Sequence, residues 1–96
     1  MSSRAKYKFR LYVAGDALNS SQALSNINAL CREHLPGRYD IEVVDVFRDP
    51  KRALADGIFM TPTLVKLAPS PNRRIVGTLS QPEPLLQALG IPAILV

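Results

Sequence analysis

From Tyr7 the chain alternates: Tyr7, Phe9, Leu11 and Val13 are interleaved with Lys8, Arg10 and Tyr12. A period of two places apolar side chains on one face of an extended chain, so residues 7–13 are predicted to form a half-buried strand. The period then lengthens. Ala23, Leu24, Ile27, Leu30 and Cys31 recur at helical spacing with Leu35 continuing the stripe, while Gln22, Ser25, Asn26, Arg32 and Glu33 fall elsewhere. Gly15, Asp16 and Asn19 supply the turn before this helix, with Asn19 or Ser20 as the expected N-cap and Pro36-Gly37 as its stop. The β-branched run YDIEVVDVF (39–47) predicts a second strand. Asp49-Pro50 predicts a short helix, because aspartate suits the N-cap and proline the first turn.

In the second half, TLVKL (63–67) predicts a third strand starting just after Pro62, and RRIVG (73–77) a fourth, separated by the turn residues Pro69, Ser70, Pro71 and Asn72. Ser80 with Glu83 has capping-box spacing for a last helix. Pro84 would remove one of that helix's early hydrogen bonds, which moves the expected start later. Leu85, Leu86 and Leu89 give its apolar face, and Gly90 and Pro92 end it. Strand, helix, strand, helix, strand, strand, helix is an α/β order, a crossover followed by a hairpin and a helix.

Ninety-six residues suit one domain spanning 1–96, with 1–6 expected to be mobile. No apolar run approaches the roughly 20 residues that cross a bilayer. The opening MSSRAKYKFRLYV has no signal-peptide apolar core with a cleavage site, so the expected location is the cytoplasm, away from membranes. The lone cysteine, Cys31, excludes an intrachain disulfide and a multi-cysteine metal cluster, and the lone His34 excludes a histidine-rich site. A formal charge of +4 favours anionic partners, including acidic protein surfaces. Few aromatic side chains are available for base stacking, so nucleic acid ranks last among them.

The element order, with TPT at 61–63, resembles the thioredoxin fold. That resemblance implies a cis-proline at Pro62, facing the loop before the first long helix. Redox members carry Cys-x-x-Cys in that loop; here it reads AGDALNSSQA. Dithiol exchange needs an attacking and a resolving thiol, so thioredoxin-type oxidoreduction is not expected. Cys31 lies on the apolar stripe, where a small buried hydrophobe is the expected role. His34 falls near the helix C-terminus, where a cation is favourably placed, and has no nucleophilic partner in sequence. Asp45 reads equally as a buried, partnered carboxylate or as a solvated strand end. Arg73 and Arg74, with Lys66 across the turn, form a basic patch that reads as a charged, aggregation-resistant edge or as a docking surface for acidic groups. No phosphate loop, zinc spacing, acid dyad or serine triad is found, and no catalytic residue, cofactor or metal is assigned.

Taken together, LYVAG (11–15), NS at 19–20, VVDVFRDP (43–50), TPTL (61–64), RRIVG (73–77) and LS (79–80) resemble the KaiB circadian-clock family over nearly the whole chain. The resemblance implies a thioredoxin-like fold used for binding, on a KaiC-type ATPase ring, with KaiA-like proteins or SasA-like sensor kinases as further partners. It also implies self-association, as a dimer or tetramer, and an alternative fold that keeps the first half and rearranges the second to a βααβ-type order. Family members usually read Gly-Asp-Leu-Ser-Asp where this chain reads Gly77-Thr78-Leu79-Ser80-Gln81, so Gly77, Thr78 and Gln81 mark the region sensitive to that rearrangement. A lysine common before TPTL is replaced by Gly57. The thioredoxin-like order is expected for the free chain, since Pro62, Pro69 and Pro71 would disturb helices there. Lys6, Lys8, Arg10, Gln22, Arg73 and Arg74 are the candidate partner-binding residues. Two other readings stand beside this one: a thiol-dependent enzyme using Cys31, and a weak anion-binding module.

Overall fold

The computed structural model of the protein describes residues 6–92; the mobility expected of residues 1–5 lies outside the described residues. β1 (Tyr7–Val13), α1 (Leu18–His34), β2 (Tyr39–Asp45), α2 (Pro50–Ala55), β3 (Thr63–Ala68), β4 (Arg73–Val76) and α3 (Pro82–Leu89) follow in that order. The α/β thioredoxin-like order expected from the sequence is the one observed, and the βααβ-type alternative is not. The sheet order is β2-β1-β3-β4, with β1 parallel to β2 and antiparallel to β3, and β3 antiparallel to β4.

Strand alternation divides the core in two. Tyr7, Phe9, Leu11 and Val13 of β1 and Leu64 of β3 pack with the α1 stripe (Ala23, Ile27, Leu30, Cys31 and Leu35) and with Leu85, Leu86 and Leu89 of α3. The opposite face carries a smaller cluster of Tyr12, Val44 and Val65 beneath Ala53 of α2 and Ile58. Burying an aliphatic or aromatic side chain contributes about 1.5–3 kcal/mol, so the α1/α3 face carries most of the stability.

β3 and β4 end within one residue of expectation, and three other element boundaries depart from it for a local reason. α1 begins at Leu18, ahead of the expected caps, and Ser20 is buried in its first turn, where its hydroxyl accepts from the Ala14 N–H at 3.1 Å. β2 ends at Asp45 because the Asp45 carboxylate accepts from the Gly15 and Phe47 N–H groups at 3.2 and 2.9 Å, folding the chain away from the sheet. α3 starts at Pro82, with Gln81 as its N-cap and no side-chain cap, so the Ser80–Glu83 capping box does not form. Pro82 and Pro84 are its first and third residues. The leading N–H groups of a helix have no intrahelical acceptor, so neither proline removes a bond.

Candidate functional site

The Thr61–Pro62 peptide bond is cis, and the Pro62 carbonyl accepts from the Gly77 N–H at 3.0 Å, tying this turn to the end of β4. The loop from Val13 to α1 contains no thiol. Cys31 lies fully buried in the α1/α3 core, and burial pushes its thiol up to about 12. A thiolate forms there only at strongly alkaline pH, and attack on a bulky substrate would require the core to open. Asp45 is half-buried and its carboxylate is spent on closing two loops. His34 lies 3.7 Å from the neighbouring Glu33 carboxylate, and no hydrogen bond joins it to a nucleophile among the described residues.

The six candidate partner-binding residues do not form one surface. Lys8 and Arg10 share the α2 face of the sheet. Cross-strand register extends that face in a row from Glu42 through Arg10 and Val65 to Arg74. Arg73 lies on the opposite face, in a row with Ile41, Phe9 and Lys66. Gln22 is exposed on α1. Lys6 is paired with Asp40 at 3.1 Å, both well exposed.

Arg10 is engaged within the molecule. Its Nε donates to Glu42 at 2.9 Å and its Nη1 to Asp56 at 3.0 Å, while Arg52 of α2 makes a second pair of bonds to Glu42 at 2.8 and 2.9 Å. Tyr12 donates its hydroxyl to the same Asp56 carboxylate. Bonds from Arg52 and Arg10 hold the Glu42 carboxyl down at about 2. Asp56 is lowered first by Tyr12 and then by Arg10, and burial raises the Tyr12 phenol. These charges pin α2 to the sheet, and Arg10 helps to order that face.

Lys66 also departs from the sequence expectation, which placed it in a basic patch with Arg73 and Arg74. It is 3% exposed, and its ammonium donates to the Leu89 carbonyl, the last of α3, at 2.8 Å. Burial, and then Arg73 across the strand pair, lower its pKa. The Tyr7 hydroxyl donates to the next carbonyl, that of Gly90, at 3.2 Å. Gly90 sits at φ 69°, the left-handed conformation that closes many helices and that glycine adopts without a Cβ clash. The expected patch therefore reduces to two arginines on opposite faces.

Sequence reasoning missed the most exposed large apolar side chain among the described residues, Phe59, and its neighbour Met60. Phe59 is 88% exposed and Met60 62%, on the turn just before cis-Pro62. The stretch Ile58-Phe59-Met60 has no polar residue to signal exposure, and only the alternation across this turn, with Ile58 buried and Phe59 out, reveals it. Gly77, Thr78 and Gln81 lie between β4 and α3, where Asn26 of α1 donates to the Thr78 carbonyl at 2.7 Å. Among the described residues no helix is long and apolar enough to cross a membrane, and no group of three or more His, Cys, Asp or Glu is placed to hold a metal ion.

Comparison with known proteins places these features. The KaiB domain profile matches residues 10–91. Circadian clock protein KaiB3 of Synechocystis is 43% identical over 82 residues, covering 85% of this chain and 80% of that protein. Circadian clock oscillator protein KaiB of Prochlorococcus marinus is 43% identical over 91 residues, covering 95% and 76%. Among solved structures, the N-terminal domain of Synechococcus elongatus SasA superposes with a TM-score of 0.72 at 20% identity, over 94% of this chain and 89% of that one. Chloroplastic thioredoxin z superposes at 0.73 and 18% identity, over 91% and 78%. Those two likenesses speak to fold, which is thioredoxin-like; the sequence matches speak to descent, and by them the chain belongs to the KaiB family.

Proposed function

We propose that the protein is a non-catalytic, cytoplasmic regulator that binds a KaiC-type ATPase and modulates circadian or related timing or stress signalling. One observation carries this reading: a KaiB-family chain keeps the thioredoxin architecture, cis-Pro62 included, while its single thiol is buried in the core. A scaffold stripped of exchangeable thiols retains surfaces, and surfaces bind. The family resemblance implies that such a chain competes with a SasA-like sensor domain for the ATPase; the superposition on the SasA N-terminal domain shows that the two share a fold. KaiA-like proteins are the further candidate partners, and dimers or tetramers the candidate assemblies.

The test is size-exclusion chromatography of the purified chain with the KaiC-type ATPase of its own host, under ATP and under ADP. Co-elution with the ATPase hexamer in at least one nucleotide state is expected, as is its loss on adding excess SasA-type N-terminal domain. Separate elution in both states, at concentrations up to tens of micromolar, would refute the proposal.

A further inference from the structure

Large side chains that reach into solvent usually do so from pliable loops. The turn carrying Phe59 and Met60 is instead braced on every side. Ile58 is buried, and its N–H donates to the Ala53 carbonyl of α2 at 2.8 Å. Gly57, at φ 67°, closes α2 in the left-handed conformation, and its carbonyl accepts from Arg74 Nη1 at 3.3 Å. The Thr63 hydroxyl donates to the Met60 carbonyl. Phe59, Met60, Thr63, Arg74 and Val76 border a hollow of about 170 Å³, and Val76 adds a further half-exposed apolar wall. Because the backbone of the turn is already held, association would have to order only the Phe59 and Met60 rotamers and not the segment that carries them.

One charged side chain lines this hollow. Arg74 borders it, and among the described residues its guanidinium makes no ion pair with a carboxylate. The nearby acid, Asp56, pairs with Arg10 at 3.0 Å and accepts from the Tyr12 hydroxyl; Arg74 acts on it only through space, without an ion pair. The chain as a whole carries +4.

We propose that this hollow is the anchor point of the partner interface: it accepts an apolar side chain from a surface loop of the ATPase, and Arg74 receives a carboxylate flanking that side chain. The inference rests on the function proposed above and adds the site and its chemistry. It separates the two adjacent arginines: Arg74 faces the partner, and Arg73, on the opposite face of β4, does not.

Titration calorimetry with the host's KaiC-type ATPase tests it, using Phe59→Ala, Met60→Ala, Arg74→Gln, Arg73→Gln and the exposed helix control Gln87→Ala. Phe59→Ala is expected to weaken binding at least tenfold and Met60→Ala several-fold, each with the wild-type dependence on salt. Arg74→Gln is expected to weaken binding at least threefold more than Arg73→Gln and to flatten the salt dependence. In the wild-type chain, amide exchange at residues 57–61 should slow when the ATPase is added, a readout that does not depend on any variant folding. If the wild-type chain binds while the Phe59 and Met60 variants bind as tightly, or exchange at 57–61 is unchanged, the anchor site is wrong and the function stands. If the wild-type chain does not bind the ATPase, both fall. If Phe59→Ala alters only self-association, seen by sedimentation without ATPase, the occupant is a second copy and the assignment is overturned.

Discussion

The two faces of the sheet are made from the same strands and differ in almost every other respect. On the α1/α3 side, Phe9, Leu11 and Leu64 are fully buried beneath two helices. On the α2 side a six-residue helix covers only part of the sheet, a charged row runs from Glu42 to Arg74, and Phe59, Met60 and Val76 stand open to solvent. One face holds the molecule together and the other is left available. Along β1, Tyr7, Phe9, Leu11 and Val13 serve the larger core, while Lys8 and Arg10 face the α2 side, where Tyr12 alone is fully buried in the smaller cluster.

Phe9→Ala tests this division most severely. Removing a fully buried ring should cost about 3–5 kcal/mol of unfolding free energy, read as a fall in the urea midpoint. Because such chains are only marginally stable, the variant should sit near the edge of folding. A cost below about 1 kcal/mol would mean that the α1/α3 face is not the structural one.

Lys66 sharpens the comparison from inside the packed face, where a cation is out of place. Lys66→Ala loses the bond that caps α3 and leaves the Leu89 carbonyl without it, at a cost of about 1–3 kcal/mol. Burial lowers the folded-state pKa below the ordinary 10.5, so between those two values the unfolded chain binds more protons and stability rises with pH. Lys66→Met keeps the stem's packing and should abolish that rise. Equal alkaline slopes in wild type and Lys66→Met would show that the amine is solvated in the folded state.

How much of this could be read in the sequence depended on periodicity. β1 and the α1 stripe were legible because one period runs unbroken through each, and burial follows period. The later start of α3 was legible from Pro84, which with a Ser80 cap would fall where an intrahelical bond is made; the Ser80–Glu83 capping box was not borne out, because the helix begins at Pro82. β2 ended early because the Asp45 side chain, not its backbone propensity, sets the turn. Lys66 read as a surface cation, since nothing local announces that the end of α3 will arrive over it. The candidate site was legible least. Arg74 was found with Arg73, but which faces the open hollow is fixed only by the β3–β4 register. Phe59 and Met60 drew no reading at all, because nothing polar in their stretch signals exposure.

On the open face, smaller effects are expected. Arg10→Met severs the ties to Glu42 and Asp56, which are half-exposed, so a loss of about 1 kcal/mol is expected. Glu42 adds a pH signature. With its folded-state pKa held at about 2, against an ordinary 4.5, its contribution is complete above about pH 5 and drains away as pH falls towards 2. Glu42→Gln should flatten the acid limb of the stability curve over that window. An unchanged acid limb would show that Arg10 and Arg52 do not hold Glu42 in solution.

Phe59→Ser should have the smallest effect on stability and is the most telling. A ring that is 88% exposed contributes little packing, so unfolding free energy should change by no more than about 0.5 kcal/mol. The same ring in the core would cost several times that amount, as at Phe9. Two phenylalanines fifty positions apart in one small chain thus give opposite expectations: at Phe9 the loss appears in the folding of the free protein, and at Phe59 in binding to the ATPase. A substantial loss of stability in Phe59→Ser would mean that the ring packs on the molecule in solution, and the open face would then be closed when no partner is present.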